Sequence, residues 1–139
     1  MGDKWAWTFD RESERGIRVR FAKWLRVVRE NHPELELRWK FDFGGDVIFE
    51  DGSQDERYME RARLCSDLGF PDVLIWFTDQ HNNRHNIALE MKREGFYGEF
   101  KHIAEQSAWR DYLESHGYKV YIASGFDNIV KLTTKVLGL

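Results

Sequence analysis

The sequence predicts a single α/β domain, and three observations support that fold class. Amphipathic helical segments alternate along the chain with segments of strand periodicity. Hydrophobic residues make up 42% of the 139 residues and aromatic residues 15%, which is enough to build a packed core. No repeat, low-complexity tract or linker divides the sequence, whose length is typical of one domain. We therefore expect residues 1–139 to fold as one unit.

The first half of the chain is predicted to contain a helix, a strand and a further helix. Residues 10–31 form an amphipathic helix ended by a proline at position 33, with apolar side chains at helical spacing: Ile17, Phe21, Trp24 and Val28. Apolar and charged residues then alternate over residues 35–43, the pattern of a half-buried strand. The segment up to residue 68 has helical character and ends at Gly69, a usual residue beyond a helix.

The second half adds three strands and two helices. Residues 73–77 are an unbroken apolar run, typical of a strand covered on both faces. Residues 87–92 follow after a polar stretch, so the two runs predict a hairpin. The remaining elements are a helix over residues 101–116 that stops at a glycine, a strand over 120–123 and a closing helix over 127–137.

Charge is distributed unevenly, although the formal net charge is only -3. Residues 11–29 carry seven basic and two acidic side chains, whereas residues 30–60 carry ten acidic and three basic ones. The basic stretch would attract phosphate and the acidic stretch would repel it. An ordinary solvated helix face explains the basic stretch equally well.

The single cysteine, Cys65, cannot form a disulfide within the chain, which fits a reducing compartment. No apolar run approaches the roughly 20 residues needed to cross a bilayer, and the charged start lacks the apolar core of a secretory signal. We therefore expect a cytoplasmic protein without a membrane partner.

Three charged residues are predicted to meet at one end of the hairpin. In a strand, Glu90 and Lys92 project from the same face, about 7 Å apart. A symmetric hairpin sets Phe77 opposite Ile87, and the same count sets Asp72 opposite Lys92 with Glu90 on the neighbouring diagonal. An exposed aspartate and an ordinary Glu-Lys surface pair would give the same short pattern.

A divalent metal ion would remove the charge conflict at this strand end, because close carboxylates are driven toward their neutral forms without a cation. Oxygen ligands from Asp72 and Glu90, with water and the carbonyl of Met91, suit Mg²⁺ or Mn²⁺ better than Zn²⁺. Such an ion activates water and stabilises a phosphoryl transition state. Lys92 would hold the nucleophilic water or offset negative charge on the phosphate.

Two polar residues lie on helix stripes that are otherwise apolar. Glu14 precedes Ile17 on one face of the first helix, from which it would reach the metal or its water shell. Gln106 lies between Ile103 and Trp109 on the stripe of the later helix, where we expect it to hydrogen-bond near the site. A helix-end carboxylate and an amide satisfied by backbone are the plain alternatives.

Three motifs occur in order along the chain: Gly69-Phe70-Pro71-Asp72-Val73-Leu74-Ile75, Leu89-Glu90-Met91-Lys92-Arg93 and Gln106-Ser107-Ala108-Trp109. With the opening helix, the His-Pro turn after it and the terminal strand and helix, they resemble the VRR-NUC (virus-type replication-repair nuclease) family of the PD-(D/E)XK superfamily. The resemblance covers most of the chain. It implies a PD-(D/E)XK restriction-endonuclease-like core, with a central mixed β-sheet flanked by helices.

The resemblance also implies roles for individual residues. It implies that Asp72 and Glu90 are metal ligands and that Lys92 is the catalytic lysine. It also implies that Glu14 is the first-helix acid and that Gln106 is the glutamine that supports the site. Arg18 departs from the pattern, because similar proteins often carry glutamine four residues after the first-helix acid. This departure affects the expected contacts of the first helix.

Stand-alone members of the family resemble homodimeric enzymes that cut branched DNA such as four-way (Holliday) junctions, and this short chain is similar to them. We therefore expect a Mg²⁺- or Mn²⁺-dependent, structure-specific endodeoxyribonuclease that acts as a homodimer. Basic side chains are expected to contact DNA phosphates, namely Arg11, Arg15, Arg18, Lys23, Arg93 and Lys101.

Other interpretations stay open. The chain could be an inactive DNA-binding or adaptor domain that retains the nuclease fold, or a protein-interaction domain with a Trp-rich surface. His81 and His85 have the spacing of a zinc pair on a helix, but the asparagines between them favour a turn. Aromatic residues near the N-terminus would pack over the core or stack on unpaired bases: Trp5, Trp7 and Phe9.

Overall fold

The computed structural model describes residues 13–42, 69–93 and 103–139. Its elements in chain order are helix α1 (Glu14–Asn31), a short 3-10 helix (Pro33–Leu35), strands β1 (Arg38–Phe41), β2 (Val73–Thr78) and β3 (Arg84–Lys92), helix α2 (Ile103–Ser115), strand β4 (Lys119–Ser124) and helix α3 (Phe126–Leu137). The helix predicted to end at residue 68 and the N-terminal aromatic residues lie outside these ranges. Within them, no helix combines the length and apolar character that crossing a membrane requires.

The four strands form one mixed sheet in the order β1-β2-β3-β4. Strand β2 pairs antiparallel with β1 and with β3, whereas β3 and β4 run parallel. A parallel pair needs a crossover connection, and α2 lies on the stretch of chain between these two strands. The α/β fold with a mixed sheet flanked by helices is therefore confirmed.

The hydrophobic core lies on one face of the sheet. The side chains that point to this face from β2 and β3 are buried: Val73, Ile75, Phe77, Ile87, Leu89 and Met91. Buried residues of α1 and α3 complete the same cluster, among them Ile17, Phe21, Leu25 and Ile129. Because side chains alternate along a strand, Glu90 and Lys92 project from the opposite face.

The predicted strand over residues 35–43 begins later than expected. Residues Pro33–Leu35 form a 3-10 helix, and Glu36 adopts a left-handed backbone with φ of 49°, so β1 starts at Arg38. Proline favours the first position of such a turn because its φ is already fixed. Leu35 and Leu37 are nevertheless buried, as their alternation predicts.

The register of the β2–β3 hairpin differs by two residues from the predicted one, and the predicted register was therefore wrong. Phe77 lies opposite His85, not opposite Ile87. Val73 pairs with Leu89, and one further step along the strands brings Asp72 level with Glu90 instead of Lys92. A shift of two residues leaves every side chain on its original face. The expected meeting of the three charged groups therefore survives the change.

The turn at residues 79–83 explains this register. The Asp79 carboxylate accepts hydrogen bonds from the backbone N–H groups of His81 at 2.8 Å and Asn83 at 2.9 Å. Asn82 has a φ of 65°, a left-handed conformation that asparagine tolerates. These contacts let β3 begin at Arg84, three residues earlier than the apolar pattern indicates.

Gly69 allows α2 to approach the segment that leads into β2. Its φ is 87°, and an added Cβ would lie 2.5 Å from the backbone carbonyl carbon of Glu105 and 2.7 Å from the backbone nitrogen of Gln106. Beside it, the rings of Phe70 and Trp109 meet edge to face at 4.8 Å. These contacts set α2 against the segment that carries Asp72.

Replacing Gly69 by alanine is expected to destabilise the protein more than the same change at Gly117. Both positions have a left-handed φ, 87° and 88°, which costs about 1 kcal/mol for a residue with a Cβ. No heavy atom of the described chain lies within 4 Å of a Cβ built at Gly117, whereas at Gly69 the backbone of α2 must move. Urea denaturation should show losses of about 3 kcal/mol for Gly69→Ala and about 1 kcal/mol for Gly117→Ala. Equal losses would contradict the close approach.

Candidate functional site

Asp72 is a buried carboxylate held by two donors from different elements. Its residue is 6% exposed and lies directly before β2. Oδ2 accepts the backbone N–H of Met91 at 2.6 Å, and Oδ1 accepts Nη2 of Arg18 at 2.5 Å. A hydrogen bond between a guanidinium and a carboxylate is stronger than one between neutral groups. One side chain thus links the start of β2 to β3 and to α1.

Glu90 and Lys92 lie at the end of β3, on one face of the strand as predicted. Nζ of Lys92 is 3.3 Å from Oε1 of Glu90, and the two side chains are 21% and 13% exposed respectively. Since the strand register brings Asp72 level with Glu90, the two carboxylates are neighbours across the hairpin. The structure therefore gathers two acids and one lysine at one place.

Burial dominates the electrostatics of this carboxylate pair. Loss of solvent raises the pKa of Glu90 to about 7, the negative charge of Asp72 adds to the rise, and Lys92 opposes it. Burial also raises the pKa of Asp72, against the lowering effects of Arg18, the Met91 N–H and Lys92. The negative charge of Glu14 adds a further increase to the pKa of Asp72. Loss of solvent thus outweighs the positive charges of Arg18 and Lys92 at both acids.

Glu14 reaches the site through Arg18. It is the first residue of α1, after the helix cap Ser13, whose hydroxyl accepts the backbone N–H of Gly16 at 3.1 Å. Oε2 of Glu14 lies 4.0 Å from Nη2 of Arg18, the same nitrogen that bonds to Asp72. Arg18, predicted to contact DNA phosphate, therefore lies between two of the predicted metal ligands.

Gln106 lies on α2 close to Gly69, three residues before Asp72. Its side chain is half-buried, and its backbone nitrogen packs close to Gly69. Within the described part of the chain, no hydrogen bond joins its amide to Asp72, Glu90 or Lys92. The supporting bond that the sequence predicts for Gln106 is thus not among the contacts here.

The remaining predicted DNA contacts are spread along the chain. Lys23 and Arg93 are exposed and Arg15 is half-buried on α1, whereas positions 11 and 101 lie outside the described residues. Of the two histidines considered as a zinc pair, His81 lies in the hairpin turn and His85 lies in β3. Nε2 of His85 is 2.8 Å from Oδ2 of Asp79, and its ring stacks on Phe77 at 4.6 Å.

The donor chemistry of Asp72 and Glu90 fits a hard divalent cation. Both are buried oxygen donors whose neighbouring negative charges favour a cation. The backbone N–H of Met91 points to Asp72. Because the N–H and C=O groups of a strand residue point to the same side, the Met91 carbonyl also faces the side on which Asp72 lies. Among the described residues, no group of three or more His, Cys, Asp or Glu side chains is arranged to hold a metal ion.

Sequence reasoning missed the ion pair between Arg18 and Asp72. The available signal was the spacing of Glu14 and Arg18, which are four residues apart and so share one face of a helix. A basic side chain on the face that carries a predicted metal ligand is expected near the other acids. The basic character of residues 11–29 suggested phosphate as its partner instead.

Glu90→Gln is expected to stabilise the metal-free protein, and the gain should grow from pH 5 to pH 8. The folded pKa of Glu90, about 7, exceeds its ordinary value of 4.5, so the folded state binds the proton more tightly than the unfolded chain. The stabilisation that comes from this tighter proton binding is complete below pH 4.5 and is lost as the pH rises through about 7. Glutamine avoids this loss, which is on the order of 3 kcal/mol.

Denaturant unfolding in EDTA at the two pH values measures this effect. Glu30→Gln removes an exposed carboxylate from α1 and serves as the matched control, for which no comparable gain is expected. A Glu90→Gln gain that is the same at both pH values would contradict the predicted protonation of Glu90.

The site thus consists of a buried carboxylate pair with one lysine and one arginine beside it. No family model, curated protein or solved structure matches this chain. The chemistry of these four side chains is therefore the structural basis for a function.

Proposed function

We propose that this protein is a Mg²⁺- or Mn²⁺-dependent endodeoxyribonuclease with a PD-(D/E)XK-type centre made of Asp72, Glu90 and Lys92. The observation that supports it best is the carboxylate pair buried at the end of the β2–β3 hairpin, with a lysine 3.3 Å from one of the acids. Asp72 directly precedes β2, and Glu90 and Lys92 lie near the end of β3. Branched DNA is the proposed substrate, on the strength of the family resemblance.

A purely structural role explains the charged cluster less well. Burying a carboxylate is costly, and replacing a buried ion pair by apolar residues is often neutral or stabilising. Here two acids lie in one buried place: burial raises the pKa of each, and the negative charge of Asp72 raises that of Glu90 further. Local arrangements that oppose stability are expected at functional sites. The cluster therefore favours a chemical role.

The carboxylates of Asp72 and Glu90 would hold the metal ion, with the carbonyl of Met91 and water as further oxygen ligands. A bound ion lowers the pKa of water and stabilises charge on a phosphodiester in its transition state. The hydrogen bond from Met91 to Asp72 fixes the direction of this carboxylate before any ligand binds. Orientation of the acids is thus a property of the folded chain itself.

Lys92 would contact the phosphate. Its ammonium group lies beside Glu90 with its side chain 21% exposed, so it is both close to the acids and accessible from solvent. A fixed positive charge at this position offsets the negative charge that develops on the attacked phosphate. Exposed basic residues of the chain, such as Lys23 and Arg93, would contact neighbouring phosphates of the same DNA.

A homodimer is part of the proposal. Two equivalent sites related by a twofold axis could nick the two opposing strands of a four-way junction. Gln106, next to Gly69 at the edge of the site, would take its supporting role in the DNA-bound enzyme. In the structure, Gln106 is half-buried and lies on the helix that packs against the segment before β2.

One observation favours a second candidate, an inactive DNA-binding domain with the nuclease fold. Both carboxylate oxygens of Asp72 accept a hydrogen bond from the protein, one from Arg18 and one from Met91. A domain that never binds metal would need such partners to keep this acid ionised. Binding of DNA without cutting is the behaviour that distinguishes this candidate.

Lys92→Ala and Asp72→Asn are each expected to reduce cleavage about 100-fold or more, because each removes a charge that acts at the transition state. The assay uses labelled four-way junction, flap and linear duplex DNA with Mg²⁺, Mn²⁺ or EDTA. We expect cutting of branched DNA with either metal and no cutting in EDTA. Lys119→Ala removes an exposed lysine of β4 and is the matched control, with activity near that of the wild type.

Cutting by both variants at the wild-type rate would contradict the assignment of the centre. Metal-independent binding of junction DNA, with no cleavage by the wild-type protein under any condition, would support the inactive domain instead.

A further inference from the structure

We propose that Arg18 is a resident counter-cation of the candidate centre, and that a divalent cation must displace its guanidinium from Asp72 in order to bind. This inference rests on the proposed function, because it concerns the metal site of that nuclease. It assigns Arg18 to the control of metal affinity, a role distinct from the DNA contact predicted from its charge.

The geometry places Arg18 where a cation would act. Its Nη2 lies 2.5 Å from Oδ1 of Asp72 and 4.0 Å from Oε2 of Glu14, so one guanidinium faces two acids. A Mg²⁺ ion binds carboxylate oxygen at about 2.1 Å. Two cations cannot share the same lone-pair direction of Oδ1 at such distances without strong repulsion. Arg18 and the metal therefore compete.

The other oxygen of Asp72 is less accessible to a cation. Oδ2 accepts the backbone N–H of Met91 at 2.6 Å, and this donor is fixed in the middle of the sheet, between β2 and β4. Met91 is fully buried and pairs with Ala123 of β4. A side chain can rotate away from its acceptor, whereas this backbone group cannot leave without opening the strands. Competition therefore falls on Oδ1.

Arginine is suited to this role by its permanent charge. The guanidinium stays protonated throughout the pH range in which proteins function, so the competition does not disappear at high pH. Glu14 remains within reach of Arg18 after Asp72 is released, since the two residues are one helical turn apart on α1. The displaced side chain thus has an acidic partner nearby, which makes its displacement feasible.

The test is a titration of the DNA-free protein with Mn²⁺, in which isothermal titration calorimetry measures the affinity. Arg18→Gln, which removes the charge but keeps a polar side chain, is expected to bind Mn²⁺ about tenfold more tightly than the wild type or better. Arg18→Lys retains a cation and should stay within about threefold of the wild type. Arg20→Gln is the matched control, because Arg20 lies on the same helix over the ring of Phe126, and it should change the affinity less than twofold.

Comparable tightening by Arg18→Gln and Arg20→Gln would overturn the inference, since it would reflect net charge alone. Equal affinities of the wild type and Arg18→Gln, with binding lost in Asp72→Asn, would overturn it while leaving the proposed function standing. The absence of Mn²⁺ binding in every variant would overturn both.

A second measurement uses the wild-type protein and does not depend on the folding of any variant. The guanidinium ¹⁵N resonances of Arg18 are followed by NMR during titration with diamagnetic Mg²⁺. We expect a shift that saturates together with metal binding, because the bond to Asp72 is broken. Resonances that stay unchanged at saturating Mg²⁺ would overturn the displacement.

Discussion

The pair of hydrogen bonds to the Asp72 carboxylate is the interaction on which the rest of the site depends. Met91 supplies one donor from β3 and Arg18 supplies the other from α1. A buried carboxylate that loses a donor costs about 1–3 kcal/mol or more, so these bonds fix the relative positions of the three elements. Glu90 and Lys92 flank Met91 in β3, and their places beside Asp72 follow from the same contact.

Helix α1 serves both the core and the charged cluster. Ile17 and Phe21 are buried against the sheet, whereas Glu14 and Arg18 at the start of the same helix extend toward Asp72. Packing of the apolar residues therefore determines how far the guanidinium is from the acid. The core stabilises the folded state, whereas the charged cluster destabilises it, because two buried acids oppose folding once both are ionised.

Much of the fold is readable from local patterns. Strand alternation predicted Glu90 and Lys92 on one face of β3, and the apolar run at 73–77 predicted strand β2. The cover expected on both faces of β2 is incomplete, because its side chains alternate between buried and half-buried. The hairpin register could not be predicted, because it depends on backbone hydrogen bonds to the Asp79 carboxylate and on the left-handed conformation of Asn82. Hydrophobic periodicity carries no information on either feature. The partner of Arg18 was also missed, since it lies 54 residues away in sequence.

Crystals soaked in Mn²⁺ offer the most direct test of the central claim, that Asp72 and Glu90 form a metal site. Anomalous scattering should reveal one or more ions within about 2.5 Å of oxygens from both carboxylates. The guanidinium of Arg18 should then have left Oδ1 of Asp72, the atom it contacts at 2.5 Å here. Anomalous density elsewhere on the protein, with the bond between Arg18 and Asp72 intact, would contradict the account.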